Sequence, residues 1–421
     1  MAAEIAISET AAFRRTEARP LAFAVGFFFS FRLCIVLVAV RVFGAEPSTG
    51  TALSIGFDLL LFGLVCFDSL GVGQRRPASM LRQPAILWVF LFLCFSGMSL
   101  AWSETASLPD SIAYWLGLVI DVVIVALLFR RDAGVDDAHS IMRGFIWSTC
   151  LLALIAWIMP SPADLRLGDE RFFNTNEIGN LCAFAIFFAQ YLTRSEQGRW
   201  RLAKLFLAIT LIRSLSKATL AAFVVSEIFL VILDRSMSRK TRMLLMGGAL
   251  LVTLAFWGLF EAYYEIYTTA GNQAETFTGR TAIWLYAANA TTDHAWTPWI
   301  GHGFDSWWKV VPPFGNELFE ARHAENEVLQ QFYAYGVIGV LILAGIYGSL
   351  FRQLRKLPVS AMKIPFICLL IFVVVRGLAE ADAFDLLLPL WSVVLISSLT
   401  DRQSAAVPRA SAGLSIEKQV L

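Results

Sequence analysis

Three of the four histidines, His294, His302 and His323, fall in one polar stretch at 262–326, together with Arg280, Arg322 and Glu325. Imidazole and carboxylate groups can take a proton from a hydroxyl. Guanidinium groups hold anions. The rest of the chain is apolar, so a concentration of polar groups that loop closure does not explain marks a place for chemistry. His302 sits between Gly301 and Gly303, where a ligand could approach closely or the chain could simply turn. His294 reads as a surface bystander.

These residues need a scaffold, and the composition says which kind. Hydrophobic residues make up 57% of the chain and charged residues 16%, well below the charged share of about 25% in soluble domains. That is the composition of a membrane protein. The formal net charge of +1 excludes the basic footprint of a nucleic-acid binder. The 6 cysteines lie in apolar runs without CxxC or metal spacing, so they read as small buried hydrophobes. Arg14, Arg15 and Arg19 precede an apolar run too long for a signal-peptide core. That run is expected to be the first span, with residues 1–20 as a cytoplasmic tail.

A span needs about 20 apolar residues. Runs of that kind lie at 21–40, 52–70, 84–101, 111–129, 142–159, 176–192, 203–217, 218–234, 242–260, 328–350, 362–378 and 384–400. The expected fold is therefore all-α, a polytopic helical bundle of about 12 transmembrane helices. Nine helices would occupy 21–261, a large partly helical loop 262–326, and three helices 327–400. A Ser/Ala-rich cytoplasmic tail would follow at 401–421. Lys and Arg cluster in alternate connections, such as Arg75/Arg76/Arg82 and Arg352/Arg355/Lys356. By the positive-inside rule both termini are cytoplasmic and the 262–326 loop faces outward, provided 203–234 crosses twice.

With that topology, unusual polar groups gather on the outer side. Asn174, Asn176 and Asn180 open the sixth span; the first two fit helix N-caps, the third does not. Arg213 and Lys217 are four apart and would share a helix face, either snorkelling at the interface or holding an anion. Gly279-Arg280-Thr281-x-x-Trp284 would open an interfacial helix through about residue 290. Arg322-His323-Ala-Glu325-Asn326 leads into a span carrying Gly336 and Gly339. Arg376, Glu380, Asp382 and Asp385 occupy the turn before the last span.

These elements resemble the O-antigen ligase and O-antigen/exopolysaccharide polymerase superfamily. The resemblance rests on the Asn-rich start at Asn174 to Gly179, on Ser216-Lys217-Ala218, and on Gly279-Arg280-Thr281-x-x-Trp284. Gly301-x-Gly303 and the Asn-x-x-Leu-Gln run before Gly336 and Gly339 complete it. The motifs cover 170–345. Where the family has His directly before that Asn, this chain has Glu325, with His323 two residues earlier. Lys217 replaces the usual Arg. Both departures look more like the exopolysaccharide-polymerase branch.

The resemblance implies a bacterial inner-membrane enzyme that uses a polyprenyl-diphosphate-linked glycan donor, with its active loop in the periplasm. It implies polymerisation of repeat units onto a glycan acceptor, with a polysaccharide co-polymerase as a further partner. The alternative within the family is a ligase using a lipid A-core acceptor. A transporter or flippase of lipid-linked sugars is the alternative from another class. Glu325 and His323 are the expected catalytic residues, either one as base. Arg280, Arg322, Arg213 and Lys217 would bind diphosphate, and Asn174, Asn176, Asn326 and His302 substrate. Glu380-Ala-Asp382 is the only outward ExD-like pair and a weak metal signal, so the chemistry is expected to need no metal or other cofactor.

Overall fold

A computed structural model describes residues 19–70, 82–130, 134–159, 167–168, 174–195, 200–234, 277–307, 321, 323–358 and 361–402, with isolated positions between 238 and 254. Arg322 and most of 242–276 lie outside the described residues. All regular structure among the described residues is helical. The helices are α1 (Pro20–Arg41), α2 (Pro47–Leu70), α3 (Pro84–Ser99), α4 (Leu108–Phe129), α5 (Gly134–Ile158) and α6 (Thr175–Ser195). They continue with α7 (Arg201–Ser214), α8 (Lys217–Leu233), α9 (Phe277–Thr292), α10 (Thr297–Ile300), α11 (Glu327–Lys356) and α12 (Lys363–Arg376). A last helix, α13, runs over 390–402.

The surface and the interior are both apolar. Leu59, Leu60 and Phe67 of α2 are exposed while Phe187, Phe188 and Phe372 are fully buried. Helices greasy on all sides belong in lipid rather than water. The expected count of about 12 spans is only partly carried. Among the described residues 5 helices are long and apolar enough to cross a bilayer: α1, α4, α5, α11 and Thr49–Leu70 of α2. Length accounts for part of this; α6, at 21 residues, is long enough but less apolar, and most of 242–260 lies outside the described residues. At 1.5 Å per residue, the 14-residue α7 and α12 reach roughly 21 Å, less than the hydrocarbon core of about 30 Å. The sequence windows at 203–217 and 362–378 register apolar runs longer than the helices that form in them.

Lipid tails are as apolar as leucine, so helix association here depends on close packing and buried polar contacts rather than on escape from water. The tightest join is α1 on α5. A Cβ built on Gly26 would lie 1.9 Å from the Ile141 carbonyl oxygen, and one on Gly144 2.1 Å from that of Phe23. The two backbones touch. Arg32 of α1 bridges to Asp121 of α4 at 2.6 Å, which neutralises both charges inside the bundle. On the other flank, α12 packs against α6 and α8, with Phe372 edge-on to Phe184.

Two breaks in these helices shape the site. Between α7 and α8, Leu215 adopts a left-handed backbone (φ 58°). The single helix face expected to carry both Arg213 and Lys217 is therefore absent: Arg213 ends α7 and Lys217 starts α8. The second break is in α11, where Gly336 has φ 62°. The kink frees the carbonyls of Tyr333 and Ala334, and the backbone N–H groups of His302 and Gly303 donate to them at 3.0 and 2.8 Å. The Gly301-x-Gly303 loop is thus seated on the α11 kink.

Candidate active site

A cavity of about 770 Å³ opens where five segments converge. Ser107, Asp110 and Tyr114 come from the start of α4, and Asn174, Asn176, Glu177 and Asn180 from the start of α6. The 305–307 loop gives Asp305 and Trp307, and His323 precedes α11. Arg376, Glu380, Asp382 and Phe384 end α12 and follow it.

The α6 wall is held by a directed chain of hydrogen bonds. Asn174 caps its helix, its Oδ1 accepting from the Glu177 N–H at 2.8 Å, so the N-cap reading stands. Gly179 lets Ser214, Ser216 and Thr219 approach to 3.2–3.4 Å of where a Cβ would stand. Ser216 Oγ lies 2.7 Å from Asn176 Oδ1 and 2.8 Å from Thr219 Oγ1. A hydroxyl has one proton, so Ser216 donates to Asn176 and accepts from Thr219. Thr219 in turn accepts from Arg376 Nε at 3.3 Å. Ser216 is at the N-cap position of α8 yet makes no side-chain cap bond. Arg376 therefore leans over a helix start whose dipole also favours anions. Arg376 is 4% exposed, and its Nη1 has no hydrogen-bond partner among the described residues.

A second charged chain runs on from Arg376; of its members His323 and Glu380 line the cavity, while Arg280 and Glu325 do not. On a helix, His323 and Glu325 would point apart; the segment before α11 is not helical, and Glu325 has φ 51°. Both side chains consequently face one cluster. His323 Nδ1 is 3.7 Å from Glu325 Oε1, and His323 Nε2 is 3.3 Å from Glu380 Oε1. Arg280 of α9 closes on Glu325 at 3.4 Å, and Arg376 stands 4.0 Å from Glu380. A small apolar core places Arg280: Ile283 and Ala287 of α9 pack with Trp307, Ala324 and Tyr333. The ligand atoms of His323, Glu325 and Glu380 lie within 4.8 Å of one another, a set that could hold a divalent cation. Two guanidinium groups already supply positive charge to its two carboxylates.

The other expected site residues are placed differently. Asn326 spends its amide on structure, accepting from the Leu329 N–H at 3.1 Å and donating to the Leu378 carbonyl at 3.1 Å. His302 is buried, stacked on Tyr333 at 4.6 Å with Nε2 3.2 Å from the Ala290 carbonyl, and does not line the cavity. Arg213 is half-buried and Lys217 exposed; neither lines it. His294 is exposed, as expected. Arg376 and Glu380 were legible only as part of a polar turn. Their signal was an Arg and a Glu four residues apart, closing an apolar run.

Asp305 also faces the cavity, with a left-handed backbone (φ 58°). Its Oδ2 accepts from Ser111 Oγ at 2.6 Å and Thr105 Oγ1 at 3.1 Å. Burial pushes its carboxyl above the usual range, with Asp110 adding to the rise and the two hydroxyls opposing it. A raised folded-state value means a stability contribution present at acid pH and lost as pH rises through that value. Asp305→Asn keeps both acceptor contacts and tolerates the left-handed backbone. The variant is expected within about 1 kcal/mol of wild type, with its thermal midpoint gaining on wild type as pH rises above the ordinary carboxyl value of 3.8. A constant difference above that value would disprove the charge argument.

The fold and the cavity together define a helical membrane protein with a mixed-charge chamber built around arginine, histidine and glutamate. Residues 202–344, which run from α7 into α11, match the O-antigen ligase family model. The match falls on the stretch that holds most of the motifs. It is 25% identical over 352 residues to an O-antigen ligase of Pseudomonas aeruginosa, covering 80% of this chain and 74% of that protein. It is 24% identical over 302 residues to the exopolysaccharide production protein ExoQ of Rhizobium meliloti, covering 64% and 66%.

Proposed function

We propose that this protein transfers a glycan from polyprenyl diphosphate to a sugar hydroxyl at the periplasmic face of the bacterial inner membrane. The observation that carries the reading is the cavity lined by Arg376, with one nitrogen unpartnered, by His323 and by Glu380, to which Glu325 and Arg280 are joined by further charged contacts. Bond breaking at the anomeric carbon leaves negative charge on the diphosphate, and positioned guanidinium groups stabilise charge that develops in the transition state. The attacking hydroxyl needs a proton acceptor beside it, and the His323/Glu325/Glu380 cluster supplies one. Asn174 and Asn176 are suited to sugar hydroxyls. Arg322 and Lys217 are candidates for the diphosphate by their motif positions.

Polymerisation of repeat units and ligation of a finished chain share this chemistry and differ in acceptor. Similarity to ExoQ, together with Glu325 and Lys217 at their motif positions, favours polymerisation. The longer match to the Pseudomonas ligase favours ligation. A strain lacking this protein, complemented with wild type or Arg280→Ala, separates them on a polysaccharide gel. Single repeat units accumulating in the deletion strain mean a polymerase; long lipid-linked chains that never reach their acceptor mean a ligase. Arg280→Ala is expected to reproduce the deletion while remaining in the membrane at wild-type amount. Normal glycan from that variant would remove Arg280 from the diphosphate site.

A further inference from the structure

We propose that Glu380 is the base that takes the proton from the attacking sugar hydroxyl, and that His323 positions it; this rests on the glycosyl-transfer reading above. The backbone N–H of Glu325 donates to His323 Nδ1 at 3.2 Å, so Nδ1 carries a lone pair and not a proton. In a neutral imidazole the proton must then be on Nε2, which is 3.3 Å from Glu380 Oε1. Both ring nitrogens are occupied, and neither presents a lone pair to a substrate. Glu325 is engaged by Arg280 at 3.4 Å. Glu380 is different. It lines the cavity, which Glu325 does not, its side chain is 4% exposed, and its Oε2, 4.0 Å from Arg376 Nη2, is beyond hydrogen-bond reach of that guanidinium and has no other hydrogen-bond partner among the described residues. A buried carboxylate oxygen with unfilled lone pairs is kept for what enters beside it.

In the step that follows, the acceptor O–H proton passes to Glu380 Oε2 and the hydroxyl oxygen's electron pair forms the bond to the anomeric carbon. The bond from that carbon to the diphosphate oxygen breaks, and its electron pair leaves on the diphosphate beside Arg376. His323 donates Nε2–H to Glu380 Oε1 throughout. Besides His323 and Arg376, the charged groups lining the same space are Glu177 of α6, Asp110 of α4, Asp305 and Asp382.

The test uses full-length protein in lipid nanodiscs, a polyprenyl-diphosphate oligosaccharide as donor and the same oligosaccharide as acceptor. Glu380→Gln, nearly the same shape, is expected to lower kcat by about 10²- to 10⁴-fold with the donor KM little changed. Formate should restore part of the activity of Glu380→Ala. His323→Gln is expected to lose less than Glu380→Gln and to shift the pH–rate profile. A Glu380→Gln enzyme keeping more than about a tenth of wild-type kcat overturns the proposal. So does a larger loss in His323→Gln, which would make the imidazole the base. Activity abolished by EDTA and restored by Mn²⁺ also overturns it, because a cation would then sit among His323, Glu325 and Glu380. If Glu380→Gln fails to accumulate, formate rescue of Glu380→Ala decides, and no rescue counts against it. Wild type that transfers no glycan from any lipid diphosphate donor removes the underlying reading as well, and is told apart by that control.

Discussion

Gly336→Ala is expected to deplete the folded protein from the membrane, although it adds one methyl group. At φ 62° a Cβ on residue 336 would stand 2.3 Å from the Trp299 carbonyl carbon and 2.4 Å from its oxygen. Both obstacles are backbone, so no side chain can turn aside. The left-handed conformation adds strain of about 1–3 kcal/mol. Moving the 299–303 loop away would also release the bonds from His302 and Gly303 to Tyr333 and Ala334, each worth about 1 kcal/mol. Together these reach roughly 3 kcal/mol or more, a large part of a typical stability of about 5–15 kcal/mol. Gly348 of the same helix has nothing within 4 Å of its Cβ direction, so Gly348→Ala is the control and should behave as wild type. Detergent-extracted yield and thermal midpoint read the result. Equal values for the two variants would refute the account of the kink.

Arg376→Ala is the second large effect, and it acts on chemistry and stability together. The guanidinium is nearly fully buried, hydrogen-bonded to Thr219 and 4.0 Å from the buried Glu380. Removing one partner of a buried ion pair costs about 3–5 kcal/mol, because the other charge is left uncompensated. Loss of a preorganised group that meets transition-state charge typically costs about 10²- to 10³-fold in rate. Arg376→Ala should therefore lose transfer by at least that factor and also show a lowered thermal midpoint. Thr219→Val separates the two contributions. It removes the bond that orients the guanidinium together with the Thr219–Ser216 bond, but the charge stays, so a milder loss is expected. Full activity in folded Arg376→Ala would exclude this arginine from the diphosphate site.

Part of this architecture was legible in the sequence. Apolar runs located the helices, because a segment in lipid must satisfy its backbone internally. The split of 203–234 was visible in its polar cluster, but its position at Leu215 was not, since leucine carries no local signal for a left-handed residue. His323, Glu325 and Arg280 could be singled out by type and motif. Their convergence could not, because it needs a non-helical turn at Glu325 and an apolar core under α9. Arg376 and Thr219 are 157 residues apart, and nothing local to either indicates the other. The same holds for Gly301-x-Gly303, recognisable as a motif while its cause lies in the kink of a helix further along the chain.

The direct contact of α1 with α5 bears on how the chain is made. The hydroxyl of Ser30 bonds the Phe145 carbonyl across 115 residues of sequence. At about 5–20 residues per second, on the order of ten seconds separate the emergence of α1 from that of its partner. During that interval the glycine face of α1 is in lipid with no neighbour to fill it, while α2, α3 and α4 are being inserted. The first helix is therefore a late arrival in the finished bundle, and nascent chains released before residue 144 should leave it open to cross-linking by lipid-phase reagents.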